Sequence, residues 1–419
     1  MNRPREEQFA DLLRRIVRAP LYGGKLAGLA PESFSLSRLR ELPLTTKGEL
    51  RSAGPLGVLA AGRRDIARYH ESTGTTGVPA ASWFTREDLE TGGRQVLECG
   101  AGLGPDDLVL VRFPYALALP AFLLEKAAEL TGAGIVPASS RTTVTPYPKV
   151  LQLLGRLNVS VMAGLPREME LIAETARLQG KPVRGRFPAL RALIVAGELL
   201  GARRRDHLER LWGVPVYNLY GSTETGNIAA SCEYGALHVT ERDFIVEVLR
   251  DDGKPAQAGE RGCAAITTLS HQGSPLLRYY NEDILSLRPS DCRCGRSGAI
   301  LTHYGRARER INCGGVLLDA LDIQDAVYSL DPVPEAWLAE ELEDGLDFFL
   351  DSHQIGGLPL ERLRFALAER LGVPVRVQTA ELIDRAALLR NDPSTKPEYI
   401  RKKPPEVRNG GGAGGGDTQ

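Results

Sequence analysis

Between Glu71 and Ala80 the chain reads ESTGTTGVPA, glycines alternating with serine and threonine. Glycine lets a backbone approach a ligand closely and adopt positive φ, so successive N–H groups and hydroxyls of such a loop can wrap an anion. A Walker A loop would need a Lys directly before its final Ser or Thr, and none is present. A plain polar surface loop is the competing reading. Further on, YGSTE at 220–224 follows the strand-like VPVYNL. A carboxylate at such a strand end, here Glu224, can hold a magnesium ion while Thr223 hydrogen-bonds a phosphate. In RYYNED, Asp283 is expected on a turn after a strand. There it would accept from two ribose hydroxyls, or simply cap the turn. The three features together point to a bound nucleotide.

A second group consists of Cys232, His238, Cys292 and Cys294. One imidazole and three thiolates have the composition of a closed structural zinc site, which leaves no open coordination position for catalysis. The alternative is reduced core cysteines beside an ordinary histidine. Cys99, Cys263 and Cys313 stand alone.

These groups need elements to carry them. Short apolar runs at Leu108–Phe113, Ala192–Ala196, Val214–Tyr220 and Ala264–Thr268 predict buried strands. Apolar spacing near i, i+3, i+4 predicts helices over Pro120–Leu130, Pro148–Leu157, Arg167–Leu178 and Gly201–Leu211, and the alternation means an α/β fold. Beyond Gly305 the order helix, strand, helix, strand over about 90 residues suits a small separate α/β lid. The division expected is 1–305 for a binding domain, 308–403 for the lid with a hinge near Arg308, and 404–419 as a Gly-rich tail. The chain has 419 residues with 52 Lys plus Arg against 53 Asp plus Glu, a net charge of −1 that argues against a nucleic-acid or membrane-surface partner. Arg203, Arg204 and Arg205 are read as a solvated helix face. The charged N-terminus has no apolar core of a signal peptide and no long apolar run occurs, so a cytoplasmic protein is expected.

At STGTTGVPA, YNLYGSTE, the C…H…C-x-C arrangement and SPLLRYYNED the sequence resembles the adenylate-forming superfamily of acyl-CoA synthetases, adenylation domains and luciferases, and within it the phenylacetate-CoA ligase family. The resemblance runs from about Ile66 to Lys396. It implies a large multi-sheet N-terminal adenylate-forming domain with a small mobile α+β lid. Ser72, Thr73, Gly74, Thr75, Thr76 and Gly77 match the loop around the β- and γ-phosphates of ATP. Ala196, Gly197 and Glu198 match the adenine-side segment, and Tyr220 the aromatic that stacks on adenine. Gly221 and Ser222 complete the motif in which Thr223 and Glu224 contact the α-phosphate and Mg²⁺. Asp283 matches the ribose-binding Asp and Arg306 an Arg near the ribose. Lys396 matches the catalytic Lys that bridges carboxylate and α-phosphate; a solvated Lys in a basic tail with Lys402 and Lys403 is the competing reading. Phe113 and Tyr115 fall where the family has an aromatic segment facing the acid pocket; both could equally be core residues. Two departures are Ala80, where many relatives have Lys, and Thr395, where Gly usually precedes the catalytic Lys.

The resemblance therefore implies ATP- and Mg²⁺-dependent activation of an aromatic (aryl or heteroaryl) carboxylic acid as acyl-AMP, followed by transfer to coenzyme A, with a structural Zn²⁺ and, by analogy, a homodimer. Transfer to an amine or other acceptor, and a nucleotide-binding protein that has lost turnover, are the alternatives.

Overall fold

The computed structural model describes residues 4–30, 33–72, 78–390 and 399–402. One continuous twelve-stranded sheet organises the first three quarters of the chain. Half of it is parallel, in the order Gly134–Pro137, Leu108–Val111, Val161–Gly164, Ala192–Ala196, Val216–Ser222. These strands are short and apolar because helices pack on them; all five residues of Ala192–Ala196 are buried. The crossover helices are Pro120–Thr131, Tyr147–Arg156, Pro166–Leu178 and Ala202–Trp212. Pro120 fits the first turn of its helix, where no N–H partner is needed, and Gly132 closes it at φ 77°. The direction of winding reverses between Leu108–Val111 and Val161–Gly164, a switch point that opens a crevice at the carboxyl ends of the strands.

The other half is antiparallel, running through Gly226–Ser231, Leu237–Val239, Ala299–Arg306, Tyr279–Pro289, Gly262–Thr268 and Phe244–Leu249. The two halves join where Val216–Ser222 turns back into Gly226–Ser231, so YGSTE lies on the seam. The N-terminal segment packs on this half. Thr45 and Thr46 pair in parallel with Tyr279 and Tyr280, and Arg15 donates from Nε to the His271 carbonyl at 2.7 Å. Phe9, Leu12, Leu13 and Ile16 share an apolar cluster with Leu269 and Leu277.

After Arg306 a 3₁₀ turn, Ala307–Glu309, leads into a C-terminal domain with its own apolar core. Its four strands run in the order Val375–Ala380, Leu346–Asp351, Trp337–Glu341, Ile400–Arg401, with helices Ala320–Val327 and Leu360–Leu371. The mixed α/β architecture expected from the sequence is observed. Among the described residues, no helix is long and apolar enough to cross a membrane.

Two expectations are corrected. Asp283 lies inside the strand Tyr279–Pro289, not on a turn after it. The strand is irregular there, with Glu282 at φ 67° and a register shift at Ile284/Leu285, which gives a turn-like sequence in a paired segment. Arg204 is fully buried, because the C-terminal domain covers the helix face that would otherwise be solvated.

Candidate active site at the strand ends

The strand Ala192–Ala196 ends in Gly197, whose φ of 81° favours glycine and whose missing Cβ would stand 2.9 Å from a Leu165 methyl. Glu198 follows, its Oε2 accepting from the Arg167 backbone N–H at 3.2 Å. On the neighbouring strand Tyr220 Oη donates to Asp283 Oδ2 at 2.6 Å. Asn281 Nδ2 donates to the same oxygen at 3.1 Å, while its Oδ1 accepts from the Asp283 N–H at 3.1 Å. Burial and the adjacent Asp283 push the Tyr220 phenol well above its ordinary value, so it remains a proton donor. Arg306 Nε stands 3.8 Å from Asp283 Oδ1. His303 packs its ring 4.9 Å from that of Tyr220, and burial lowers its pKa, keeping the imidazole neutral at pH 7.

Gly197, Glu198, Tyr220, Gly221, Asp283 and Arg306 line one cavity of about 650 Å³, together with Trp337, Tyr399 and Lys402 of the C-terminal domain. The geometry thus brings together six of the residues singled out in the sequence. Ala196 lies at the strand end beside them.

The turn after Tyr220 is held by reciprocal bonds: Ser222 N–H donates to Thr225 Oγ1 at 3.1 Å and Thr225 N–H to Ser222 Oγ at 3.2 Å. A Cβ on Gly221 would fall 2.0 Å from the Gly226 carbonyl oxygen, so this position needs glycine. Thr223 is half-buried and Glu224 is buried. Glu224 Oε1 has no hydrogen-bond partner, only the Lys47 ammonium at 3.4 Å. A buried carboxylate oxygen with spare lone pairs fits a hard divalent cation such as Mg²⁺. Lys47, carried on a helix that Thr46 caps, was not foreseen; nothing in its sequence setting marks it.

Of the loop 72–77, expected to hold phosphates, Ser72 lies within the described residues and 73–77 do not. The loop's ends are tied: Ser72 N–H donates to the Ala80 carbonyl at 3.0 Å, and Ala80 N–H to Ser72 Oγ at 3.1 Å. Lys396, with Thr395, also lies outside the described residues.

Phe113 is buried among Val109, Leu123 and Ala163 at the switch point. Tyr115 is half-buried and meets Phe122 edge-on at 5.6 Å. Their strand end is braced by buried Arg112, which donates to Glu168 Oε2 at 2.8 Å and to the Ser139 and Thr145 carbonyls at 2.6 Å each.

Cys232, His238, Cys292 and Cys294 converge, although 60 residues separate the most distant thiol pair that touches. Their four ligand atoms all lie within 4.8 Å of one another. Cys232 and Cys292 sulfurs are 3.6 Å apart and Cys294 Sγ is 3.2 Å from His238 Nε2. Zn–S bonds near 2.3 Å in a tetrahedron set ligand atoms roughly 3.5–3.8 Å apart, so the donor set fits zinc. All six cysteines are free thiols.

A parallel sheet with a tyrosine–aspartate pair, an arginine and a glycine turn converging at its strand ends defines a nucleotide-binding α/β enzyme. The chain belongs to the family of AMP-binding enzymes, whose pattern it matches over residues 39–262. It is 29% identical over 367 residues to a phenylacetate-coenzyme A ligase of Thermus thermophilus, covering 82% of this chain and 80% of that one. Among solved structures, 2-hydroxyisobutyryl-CoA ligase in its postadenylation state with 2-HIB-AMP superposes with TM-score 0.85 at 20% identity, over 95% of this chain and 89% of that one. The same ligase in its thioesterification state, with 2-HIB-AMP and CoA, gives TM-score 0.68 at 20% identity, over 95% and 88%. The chain is thus an AMP-forming ligase by family and fold.

Proposed function

We propose that the protein activates an aromatic carboxylic acid as its acyl-adenylate and then passes the acyl group to coenzyme A. The observation that carries this reading is the Asp283–Tyr220 pair with Arg306 in a cavity bounded by both domains. The free Asp283 oxygen accepts from ribose hydroxyls, Tyr220 and the Ala196–Gly197–Glu198 turn flank the base, and the 72–77 loop supplies N–H groups to the leaving phosphates. In the first step a carboxylate oxygen of the acid forms a bond to the α-phosphorus as the bond to pyrophosphate breaks. Negative charge gathers on the phosphoryl oxygens, so the protein's work is positioning and neutralisation, and no general base is needed. Lys396 and Thr223 are assigned to the α-phosphate. Glu224 would hold a Mg²⁺ ion, which when bound would supply positive charge beside the phosphates. In the second step the CoA thiolate attacks the acyl carbon and AMP leaves.

Phe113 and Tyr115 are assigned to the acid pocket, because an aryl acid would suit a flat apolar slot. The Cys232, His238, Cys292 and Cys294 set is assigned a structural zinc with no catalytic part. We read 308–403 as a lid that turns about Arg308 between the steps; the higher TM-score against the postadenylation state supports an adenylation-like arrangement here. Free thiols throughout fit a reducing cytoplasm.

Pyrophosphate exchange into ATP with a panel of aryl acids tests the first step, with acid-dependent exchange expected for at least one. ATP binding without exchange for any acid would leave a nucleotide-binding protein without turnover. CoA-dependent release of AMP then identifies the acceptor.

A further inference from the structure

Across the boundary between the domains lies a buried polar cluster that the reading above leaves without a task. Glu170, on Pro166–Leu178, accepts from Arg204 Nε at 2.9 Å and Nη2 at 3.1 Å, and from Arg167 Nη1 at 3.2 Å. Two tyrosines of the C-terminal domain complete it: Tyr328 Oη donates to Glu170 Oε1 at 2.6 Å, and Tyr399 Oη accepts from Arg204 Nη2 at 3.0 Å. The Arg204 guanidinium also sits over both rings, 5.6 and 5.4 Å from their centroids, and its Nη2 is 3.2 Å from Glu198 Oε2 at the nucleotide cavity.

Gly201 gives an independent sign that this is a docking surface. Its N–H donates to Gln324 Oε1 at 2.8 Å, and the helix Ala320–Val327 lies so close that a Cβ would stand 2.4 Å from Asp325 Oδ1 and 2.6 Å from a Leu321 methyl. Yet its φ of −73° and ψ of 166° suit any residue. The crowding at Gly201 therefore comes from side-chain tips of the docked domain and not from its own backbone: those tips can yield to a methyl group, whereas an aromatic ring would hold the domain off.

We infer that Gly201, Glu170 and Arg204 form a seat that positions the C-terminal domain for acyl-adenylate formation and must be vacated before transfer to the thiol. They are positioning residues, acting through Tyr328 and Tyr399. Tyr399 is the first described residue after Lys396 and stands three positions beyond it in the sequence. The inference rests on the adenylate-forming reading.

The test uses the full chain carrying Gly201→Phe or Tyr399→Phe, each with unchanged circular dichroism. Pyrophosphate exchange with phenylacetate should fall about tenfold or more with little change in the ATP KM, while thioester formation from supplied phenylacetyl-adenylate and CoA stays level or rises. A merely structural role would lower both half-reactions together, and that result, or unaltered exchange in Gly201→Phe, overturns the inference. If the parent protein exchanges with no acid, the adenylate-forming reading falls by itself. The seat is then judged by small-angle scattering of the unliganded protein, where Gly201→Phe must raise the radius of gyration; an unchanged value overturns it.

Discussion

Asp283 combines two features that an isolated aspartate on a strand would lack. Tyr220 and Asn281 both bond its Oδ2, which leaves Oδ1 facing Arg306 and the cavity. Asp283→Asn keeps the shape and removes the charge; hydrogen bonds to charged groups contribute about 1.5–3 kcal/mol, so titration calorimetry should show ATP binding weakened about tenfold or more. Lys396→Ala should abolish pyrophosphate exchange while the same calorimetry finds ATP bound normally. Asp283 was legible in the sequence because its neighbours in the chain form a recognisable motif. Arg204 was not. Its carboxylate partner Glu170 is 34 residues away and its tyrosine partner 195, so three arginines in a row looked like a wetted surface. Lys47 was hidden for the same reason, being 177 positions before the Glu224 it meets in space.

The parallel strands and their helices were legible as elements because a strand covered on both faces is a continuous apolar run and a helix packed on it has one apolar stripe. Observed Ala192–Ala196 coincides with its expected span, and Pro120–Thr131 differs by one residue. The antiparallel half was mostly missed: in Tyr279–Pro289 a bulge and a mixture of buried and exposed positions blur the alternation. Trp337–Glu341 and the two-residue Ile400–Arg401 are too short to leave a pattern. Two predictions belong to the seam and its neighbour. Gly221→Ala drives a Cβ into the Gly226 carbonyl oxygen, and urea unfolding should show a loss of about 2 kcal/mol or more. The cysteine–histidine set ties the hairpin around Leu237–Val239 to the segment before Ala299–Arg306. Protein purified without chelator should contain about one zinc per chain, and Cys232→Ser should lose it and melt at lower temperature while still exchanging pyrophosphate; a full metal complement in that variant would count against the assignment.

For the molecule as a whole, Glu170 is one of the carboxylates at the domain boundary, with Glu174 and Glu335, that bear on how docking responds to acid. Burial alone would raise the Glu170 carboxyl, but the Arg204 and Arg167 guanidinium groups and Tyr328 outweigh it and hold the group down at about 2. A lowered native value contributes stability that is complete above the ordinary carboxylate range near 4.3 and is lost as pH falls toward 2. The facing groups do not titrate at neutral pH: burial keeps the Tyr328 and Tyr399 phenols protonated and the nearby His207 neutral. Small-angle scattering should therefore record one domain arrangement from pH 8 to 5 and separation only in stronger acid; opening near pH 6 would show that other groups control it. The pairing of Thr45 with Tyr279 bears on a different process, the birth of the chain. Thr45 Oγ1 donates to the carbonyl of Leu277, made 232 residues later. At ribosomal rates of roughly 5–20 residues per second the first helix emerges on the order of ten to fifty seconds before the surface that covers Phe9, Leu12 and Ile16 exists. During that interval only the nearby Tyr22, Leu26, Leu39 and Leu42 can cover these side chains, and nascent-chain crosslinking should find holdase chaperones on them until residue 280 has cleared the exit tunnel.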